Sequence, residues 1–447
     1  MKIAFKTLGC KLNYAETSTY ERAFRALGYE VTGWGSPADV YVLNSCAVTE
    51  MAEAKSRNLI RRAARTTPGA IIVVTGCYAE LRRDEVLAIE GVSRVFGAGE
   101  KGRLVSETAA LAERRSSRPN GLGMTNGDGL GMTNGDGLCT TNEPVSTVIP
   151  SECESISFPA YSSGERTRSF LKVQDGCDNF CAYCTVPFAR GRSRNIPICE
   201  LLKQAREIAA KGIKEVVLTG VNTGDFGKTT GETFLDLLKA LNEVEGIERY
   251  RISSIEPNLI TEEIIDWIAS GTKFQPHFHI PLQSGSDTLL KKVGRRYDTA
   301  LFASRIAYIR SRMEGPGKPP VFFGIDVIVG LPGETEELFE ETVRFLRERI
   351  KPAFIHVFPY SKRPGTRAAA FPGQLTAKVK AERVAVLESL CESLHAQFVE
   401  NCRGLREKVL WESADKDGLM YGYTGNYIRL SRPYDKDLSG KITEVTI

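Results

Sequence analysis

The sequence predicts an α/β fold in three parts: a doubly wound α/β domain, then a partial (β/α)6 barrel, then a small β-barrel at the end. Three observations carry that prediction. Short apolar runs alternate with helical patterns over residues 1–110. Six more strand-like runs, each separated from the next by a helical pattern, lie within residues 166–375. From residue 407 the chain turns to short β-prone runs broken by turn signals at "DKDG" and "TGN". Apolar runs bounded by turns suit strands buried on both faces, and their alternation with amphipathic helices suits a parallel sheet.

In the first part, residues 3–8, 40–43 and 71–75 read as strands. Residues 17–27 and 50–65 read as the crossover helices between them. Order fades at about residue 111, and residues 111–165 read as a linker. Within it "GLGMTNGD" occurs twice in tandem, at 121–128 and 129–136, with a further copy beginning at Gly137. The repeat is polar and lacks a lysine placed as in a phosphate-binding loop, so it reads as a linker insert, and Cys139 and Cys153 as incidental.

The barrel strands are expected at 169–174, 215–219, 249–254, 277–282, 321–329 and 353–358. Helices are expected at 197–211, 234–244, 261–270, 298–312 and 334–349. In such folds chemistry gathers at the C-terminal ends of the strands. Residues 376–447 form the last part, a helix over 376–401 followed by the small barrel.

With 42% hydrophobic and 26% charged residues and a net charge of +4, composition is too balanced to name a nucleic-acid partner. No run approaches the roughly 20 apolar residues of a membrane span, and the N-terminus lacks a signal-peptide pattern. A cytoplasmic location is expected. In a reducing compartment the eleven cysteines read as metal ligands, catalytic thiols or small buried hydrophobes rather than disulfides.

Cys177, Cys181 and Cys184 fall in "GCDNFCAYCTVPFARGRSR", a C-x3-C-x2-C spacing at the end of the first barrel strand. One loop must wrap a compact soft-metal centre, zinc or iron–sulfur. A structural zinc site needs a fourth ligand, and the next cysteine, Cys199, lies in the following helix. Three thiolates on a four-iron cluster would leave one iron open. Cys10, Cys46 and Cys77 each follow one of the first three predicted strands by two or three residues. Parallel strands release their ends on one sheet edge, which suggests a second three-thiolate site there. Gly9 and Gly76 suit close backbone approach to it.

The C-x3-C-x2-C motif with an aromatic residue, Tyr183, before its last cysteine resembles the radical S-adenosylmethionine (SAM) superfamily. Both cysteine sets together are similar to the methylthiotransferases. The resemblance implies two [4Fe–4S] clusters, one on Cys177, Cys181 and Cys184 and one on Cys10, Cys46 and Cys77. SAM would serve as radical source and methyl donor, and a methylthio group would be inserted at an unactivated C–H bond. It also implies a C-terminal TRAM domain, the tRNA anticodon stem–loop as partner, and a flavodoxin- or ferredoxin-like electron donor. A monomer is the default state. Tyr183 would pack against SAM or fill the cluster's surround. Asn222, Ser253, Glu256 and Gln283 stand at strand ends where they could hydrogen-bond the ribose or methionine of SAM.

"TLGCKLNYAET" looks like the branch acting on threonylcarbamoyladenosine, with Lys11 after the cysteine and Asn13 two further on. The isopentenyladenosine branch has Gln-Met before that asparagine, and a third branch modifies a ribosomal-protein aspartate. A zinc-containing RNA-binding module is the alternative of another class. Arg190, Arg192 and Arg194 could clamp phosphates or form a solvated turn. Trp411, Tyr421, Tyr423, Tyr427 and Tyr434, with Arg429 and Arg432, suit base stacking, although about half of them would be core in isolation. "GLPGET" over 330–335 reads either as an approach to adenine or, through Thr335, as a helix N-cap. His277 and His279 alternate along one strand, so at most one is expected to face the barrel lumen. His356 and His395 suggest no role.

Overall fold

The computed structural model describes residues 1–116, 158–163, 167–413 and 417–447. The tandem repeat, Cys139 and Cys153 lie outside the described residues. The first part is a five-stranded, wholly parallel sheet of β1 (Lys2–Thr7), β2 (Glu30–Thr32), β3 (Val40–Ser45), β4 (Ile71–Gly76) and β5 (Val92–Phe96), in the order β2-β1-β3-β4-β5. Successive side chains of β3 point to opposite faces. Val40 and Val42 pack with Tyr20 and Phe24 of the helix Lys11–Ala26. Tyr41 and Leu43 pack with Ile60 and Ala63 of the helix Glu50–Thr66.

The structure departs from the sequence expectation at several places in this part. The first helix begins at Lys11, well ahead of residue 17, because Gly9 (φ 97°) turns the chain and extended Cys10 is the N-cap. The strands β2 and β5 are short and partly exposed, so their apolar pattern is weak. A further helix, Leu104–Ser116, carries regular structure past residue 110, with Ala112 fully buried.

The central part opens with β6 (Arg168–Lys172). Next, β7 (Gln174–Asp175) and β8 (Arg194–Asn195) pair antiparallel and clip together the two ends of the cysteine loop. The other strands are β9 (Glu215–Thr219), β10 (Arg249–Ile252), β11 (His277–Gln283), β12 (Phe322–Val329) and β13 (Phe354–Pro359). They form two parallel arcs, β6-β9-β10 and β11-β12-β13. The arcs meet through a Tyr250–Phe274 bridge and a bond from Ile255 N to His279 O. Six long strands with helices between them follow the expected order.

The helix Ala377–Glu400 lays Leu387, Leu390 and Leu394 on the barrel core. Beyond it, β14 (Arg406–Trp411), β15 (Leu419–Thr424), β16 (Arg429–Pro433) and β17 (Ile442–Thr446) form an antiparallel sheet ordered β16-β15-β14-β17. Its β15–β16 turn plugs the N-terminal end of the barrel. Arg251 donates to Gly425 O at 2.7 Å and Thr424 O at 2.8 Å, and Arg249 to Tyr423 O at 3.0 Å. Among the described residues no helix is long and apolar enough to cross a membrane.

Residues 158–163, placed in the linker by sequence, pack between the first two parts. Phe158 stacks on Tyr20, Arg22 lies over the Tyr161 ring at 3.8 Å, and Tyr161 Oη donates to Glu207 at 2.7 Å.

Candidate cluster and cofactor site

The three strands β1, β3 and β4 end on one edge, and their cysteines follow. Cys46 and Cys77 are the next residues after β3 and β4, and Cys77 opens the short helix Cys77–Leu81. A Cβ on Gly9 would come within 3.0 Å of Cys46 Sγ, so the bare glycine lets the first and second loops touch. Gly76 (φ 95°) leaves less room still, its would-be Cβ falling 2.3 Å from Ser45 O. Asn13 Nδ2 ties the edge together by donating to Leu8 O at 2.8 Å and Ser45 O at 3.0 Å. Burial pushes the Cys46 thiol up to about 11 and raises Cys77 as well. Such thiols stay protonated near neutrality until a metal displaces the proton.

The barrel loop brings Cys177, Cys181 and Cys184 together just beyond β7. Gly176 (φ 74°) lies against the returning chain, where a Cβ would fall 1.9 Å from Arg192 O. Each sulfur meets an N–H donor: Asn179 N to Cys177 at 3.5 Å, Val186 N to Cys184 at 3.4 Å, and Arg295 Nη1 to Cys181 at 3.2 Å. Donors aimed at sulfur stabilise metal-bound thiolate and tune an iron–sulfur centre. Burial pushes Cys177 up to about 11 and Cys184 to about 12. Cys199 is exposed on its helix.

Among the described residues, one set of three ligand-type side chains holds its donor atoms within 4.8 Å of one another: His279, Asp326 and His356. The N–H donors aimed at all three barrel sulfurs fit a four-iron cluster.

Asn222 and Glu256 join the barrel cysteines through a residue the sequence did not single out. Arg295 Nη2 donates to Glu256 Oε1 at 2.7 Å while its Nη1 reaches Cys181. Glu256 N donates to Asn222 Oδ1 at 3.2 Å, and Asn222 Nδ2 is buried without a partner among the described residues. A buried, aimed amide of this kind suits a polar ligand. Gln283 sits at a β-bulge with φ 70°, strain of the sort found at binding sites. Ser253 is buried at the end of β10. Tyr183 packs with Ala182, Leu331 and Tyr360, its Oη 3.5 Å from Arg295 Nη1. Thr335 is an N-cap, accepting from Leu338 N at 3.4 Å, and adjacent Glu334 accepts from Gly330 N at 2.6 Å.

The arginine run splits in two. Arg192 is exposed, but Arg190 is buried and cannot reach a surface phosphate. Its Nη1 donates to Asp175 Oδ1 at 2.9 Å and approaches Glu16 Oε1 at 3.4 Å, and its Nη2 donates to Asn13 Oδ1. Glu16 also accepts from Lys101 and Lys172, each at 2.8 Å, and Lys172 pairs with Asp175 at 2.7 Å. Burial alone would raise the Glu16 carboxyl, yet Lys101, Lys172 and Arg190 hold it far below the usual carboxylate range. Cys77 and Cys10 are among the electrostatic neighbours of Arg190. This node ties the first sheet to the barrel beside both cysteine sets.

A cavity of about 860 Å³ opens between the parts, with Cys10 and Lys11 on one wall and Tyr423, Tyr427 and Arg429 on another. His277 and His279 both line it, which corrects the expectation of at most one, since residues i and i+2 of a strand share a face. His356 lies there too, stacked on His279 with centroids 4.9 Å apart, and burial with that neighbour pushes it down to about 4. Of the C-terminal aromatics, Trp411 is buried and donates to Thr443 Oγ1 at 2.8 Å. Arg429 covers the Tyr421 ring at 3.8 Å, and Tyr434 is exposed.

Residues 2–97 match the model of uncharacterized protein family UPF0004, and residues 171–346 that of the radical SAM superfamily. Over its full length the chain is 38% identical to the threonylcarbamoyladenosine tRNA methylthiotransferase MtaB of Bacillus subtilis, covering 93% of that protein. It is 35% identical to MtaB of Aquifex aeolicus, both chains covered entirely. It is 31% identical to the tRNA-2-methylthio-N(6)-dimethylallyladenosine synthase of Citrifermentans bemidjiense, with 96% of that chain covered. In fold it resembles the radical SAM methyltransferase TsrM of Kitasatospora setae, with a TM-score of 0.56 at 15% identity over 93% of this chain and 79% of that one. Full-length identity at this level, on a chain that carries both cysteine sets, places the protein in the radical SAM methylthiotransferase family.

Proposed function

We propose that the protein inserts a methylthio group at C2 of threonylcarbamoyladenosine beside the tRNA anticodon. The observation that carries this reading is that Arg190, a neighbour of Cys10 and Cys77, is bonded to Asp175, and these two residues bracket the loop of Cys177, Cys181 and Cys184, so that the two sites are tied to one charge node. The full-length relatives named for threonylcarbamoyladenosine support the choice of nucleoside.

Residues Cys177, Cys181 and Cys184 would hold one [4Fe–4S] cluster and Cys10, Cys46 and Cys77 the other. When bound, these clusters and SAM supply radical hydrogen abstraction and the activated sulfur. The protein's own part is positioning. Arg295 holds Glu256 and donates to Cys181, which fixes the carboxylate at the rim of the cluster loop. Asn222, Ser253, Glu256 and Gln283 would orient the polar groups of SAM. Ala182, Leu331 and Tyr183 would exclude water from the reacting centre. Arg190 and Glu16 lock the two cysteine edges in one relative placement, which a transfer between two cofactors needs.

The C-terminal sheet would act as a TRAM-like RNA-binding part, with Arg429 on Tyr421, Arg432 and Tyr434 available to phosphates and bases. The proposed division is 1–116 for the N-terminal cluster part, which keeps the helix Leu104–Ser116 whole, then a linker as far as residue 165, 166–375 for the radical SAM barrel and 376–447 for the rest. A flavodoxin- or ferredoxin-like donor and a cytoplasmic setting complete the proposal. Nucleoside analysis of tRNA from a strain lacking the gene is the test. Loss of the methylthio derivative of threonylcarbamoyladenosine, restored by the gene, is expected. Loss of methylthio from isopentenyladenosine alone would overturn the choice of nucleoside.

A further inference from the structure

The cavity beside Cys10 is lined by four cations, Lys11, Arg168, Arg251 and Arg429, and the three arginines are engaged. Arg168 donates to Glu412 at 2.7 Å and Tyr427 Oη at 2.9 Å. Arg251 is held by Glu215 at 2.8 Å. Arg429 lies on Tyr421 at the rim. Lys11 lines the same cavity and makes no ion pair among the described residues. It shares that lining with Arg168 and Arg251, which belong to the barrel side of the junction. Asp326 lies 2.7 Å from His279 Nε2 through its Oδ1 and makes no ion pair with Lys11. Against the cations Lys11, Arg168, Arg251 and Arg429 stand the carboxylates Glu412, Glu215 and Asp326, so one positive charge is left over and the region is weakly electropositive. Such a lining favours an anion over a metal cation.

The proposed substrate carries an anion of the right kind. A threonylcarbamoyl group on N6 of adenine ends in a carboxylate and a hydroxyl, whereas a dimethylallyl group is a hydrocarbon. An adenine presenting C2 to the Cys10 edge must fit its N6 substituent into the space next to that edge. Aromatic walls supplied by Phe322, Phe354, Tyr423 and Tyr427 suit the flat base. We infer that Lys11 binds the carboxylate of the N6-threonylcarbamoyl group, and so selects the charged nucleoside over a neutral one. The inference rests on the substrate reading above and adds the residue that enforces it.

The test pairs one substitution with one substrate change in the full-length reconstituted enzyme. The substrates are a threonylcarbamoylated anticodon stem–loop and the same stem–loop with its threonyl carboxylate methyl-esterified. Wild type should prefer the acid by about 10- to 100-fold in kcat/KM, the range for one hydrogen bond to a charged group. Lys11→Met should lose that preference and treat both substrates as wild type treats the ester, with iron content and ester stem–loop Kd unchanged. Lys11→Arg, which keeps the charge, should retain the preference. A Lys11→Met enzyme that still prefers the acid overturns the inference and leaves the function standing. So does an equal loss on both substrates, which would mean a phosphate contact or a role in cluster assembly. If wild type ignores both and methylthiolates an isopentenylated stem–loop, the nucleoside reading falls and the inference with it.

Discussion

Glu16→Gln should loosen the junction between the first sheet and the barrel. The carboxylate is fully buried and accepts from Lys101 and Lys172 at 2.8 Å, with Arg190 at 3.4 Å. Glutamine keeps the shape and removes the charge. Asp175 would then be the remaining carboxylate in the node, within reach of Lys172 and Arg190. Lys101, itself only 4% exposed, would lose its sole ion pair among the described residues. Removing one partner from a buried charge cluster costs about 3–5 kcal/mol, since the charges left behind are uncompensated. For a cooperative unit of about 150–250 residues, that lowers Tm by roughly 6–20 °C. The assay is anaerobic thermal unfolding followed by tryptophan fluorescence, with Trp34 reporting on the first sheet. Lys101→Met added to Glu16→Gln should recover part of the loss by removing the orphaned cation. A single-variant cost below about 1 kcal/mol, or no recovery in the double variant, would refute the claim that charge pairing holds the junction.

The remaining predictions concern acid sensitivity and the barrel loop. Glu16 and Asp175 are held below their ordinary carboxylate values, so their stabilisation is present above roughly pH 4 and drains away as pH falls toward the depressed values. Unfolding midpoints should therefore drop steeply below about pH 4 in wild type and more shallowly in Glu16→Gln. Arg295→Ala should keep its iron yet cut deoxyadenosine formation by roughly tenfold or more, and shift the cluster potential, because Cys181 loses its donor and Glu256 its anchor. Unchanged potential and rate would remove Arg295 from the site. Gly176→Ala should lose about half of the iron, the barrel's share of two four-iron clusters, since the new Cβ collides with Arg192 O. Full iron loading would show that the loop can shift aside.

The parallel strands and the two cysteine sets were legible because both leave a local record. Apolar runs mark β3 and β4, with all their residues buried, and each cysteine stands at a fixed offset from such a run. The partly exposed β2 and β5 leave no such pattern. Long-range partners leave none either. Arg190 reads locally as one arginine of a basic turn, and only folding sets it against Glu16 and Asn13, more than 170 residues away in sequence. Arg295 meets Cys181 across 114 positions. The shared face of His277 and His279 was available from strand periodicity alone, and the expectation of opposite faces misapplied it.

The central claim is that the two cysteine sets divide the chemistry. Cys10, Cys46 and Cys77 come from three loops of one sheet edge, whereas Cys177, Cys181 and Cys184 come from one loop of the barrel. Losing Cys46 should cost the first site a ligand and leave the second intact. The direct measurement is anaerobic turnover of Cys46→Ala with threonylcarbamoylated tRNA, reading 5′-deoxyadenosine and methylthio-nucleoside in one reaction, with Cys177→Ala alongside. Deoxyadenosine without methylthio-nucleoside is expected from Cys46→Ala, and neither product from Cys177→Ala. A wild-type yield of methylthio-nucleoside from Cys46→Ala would contradict that division.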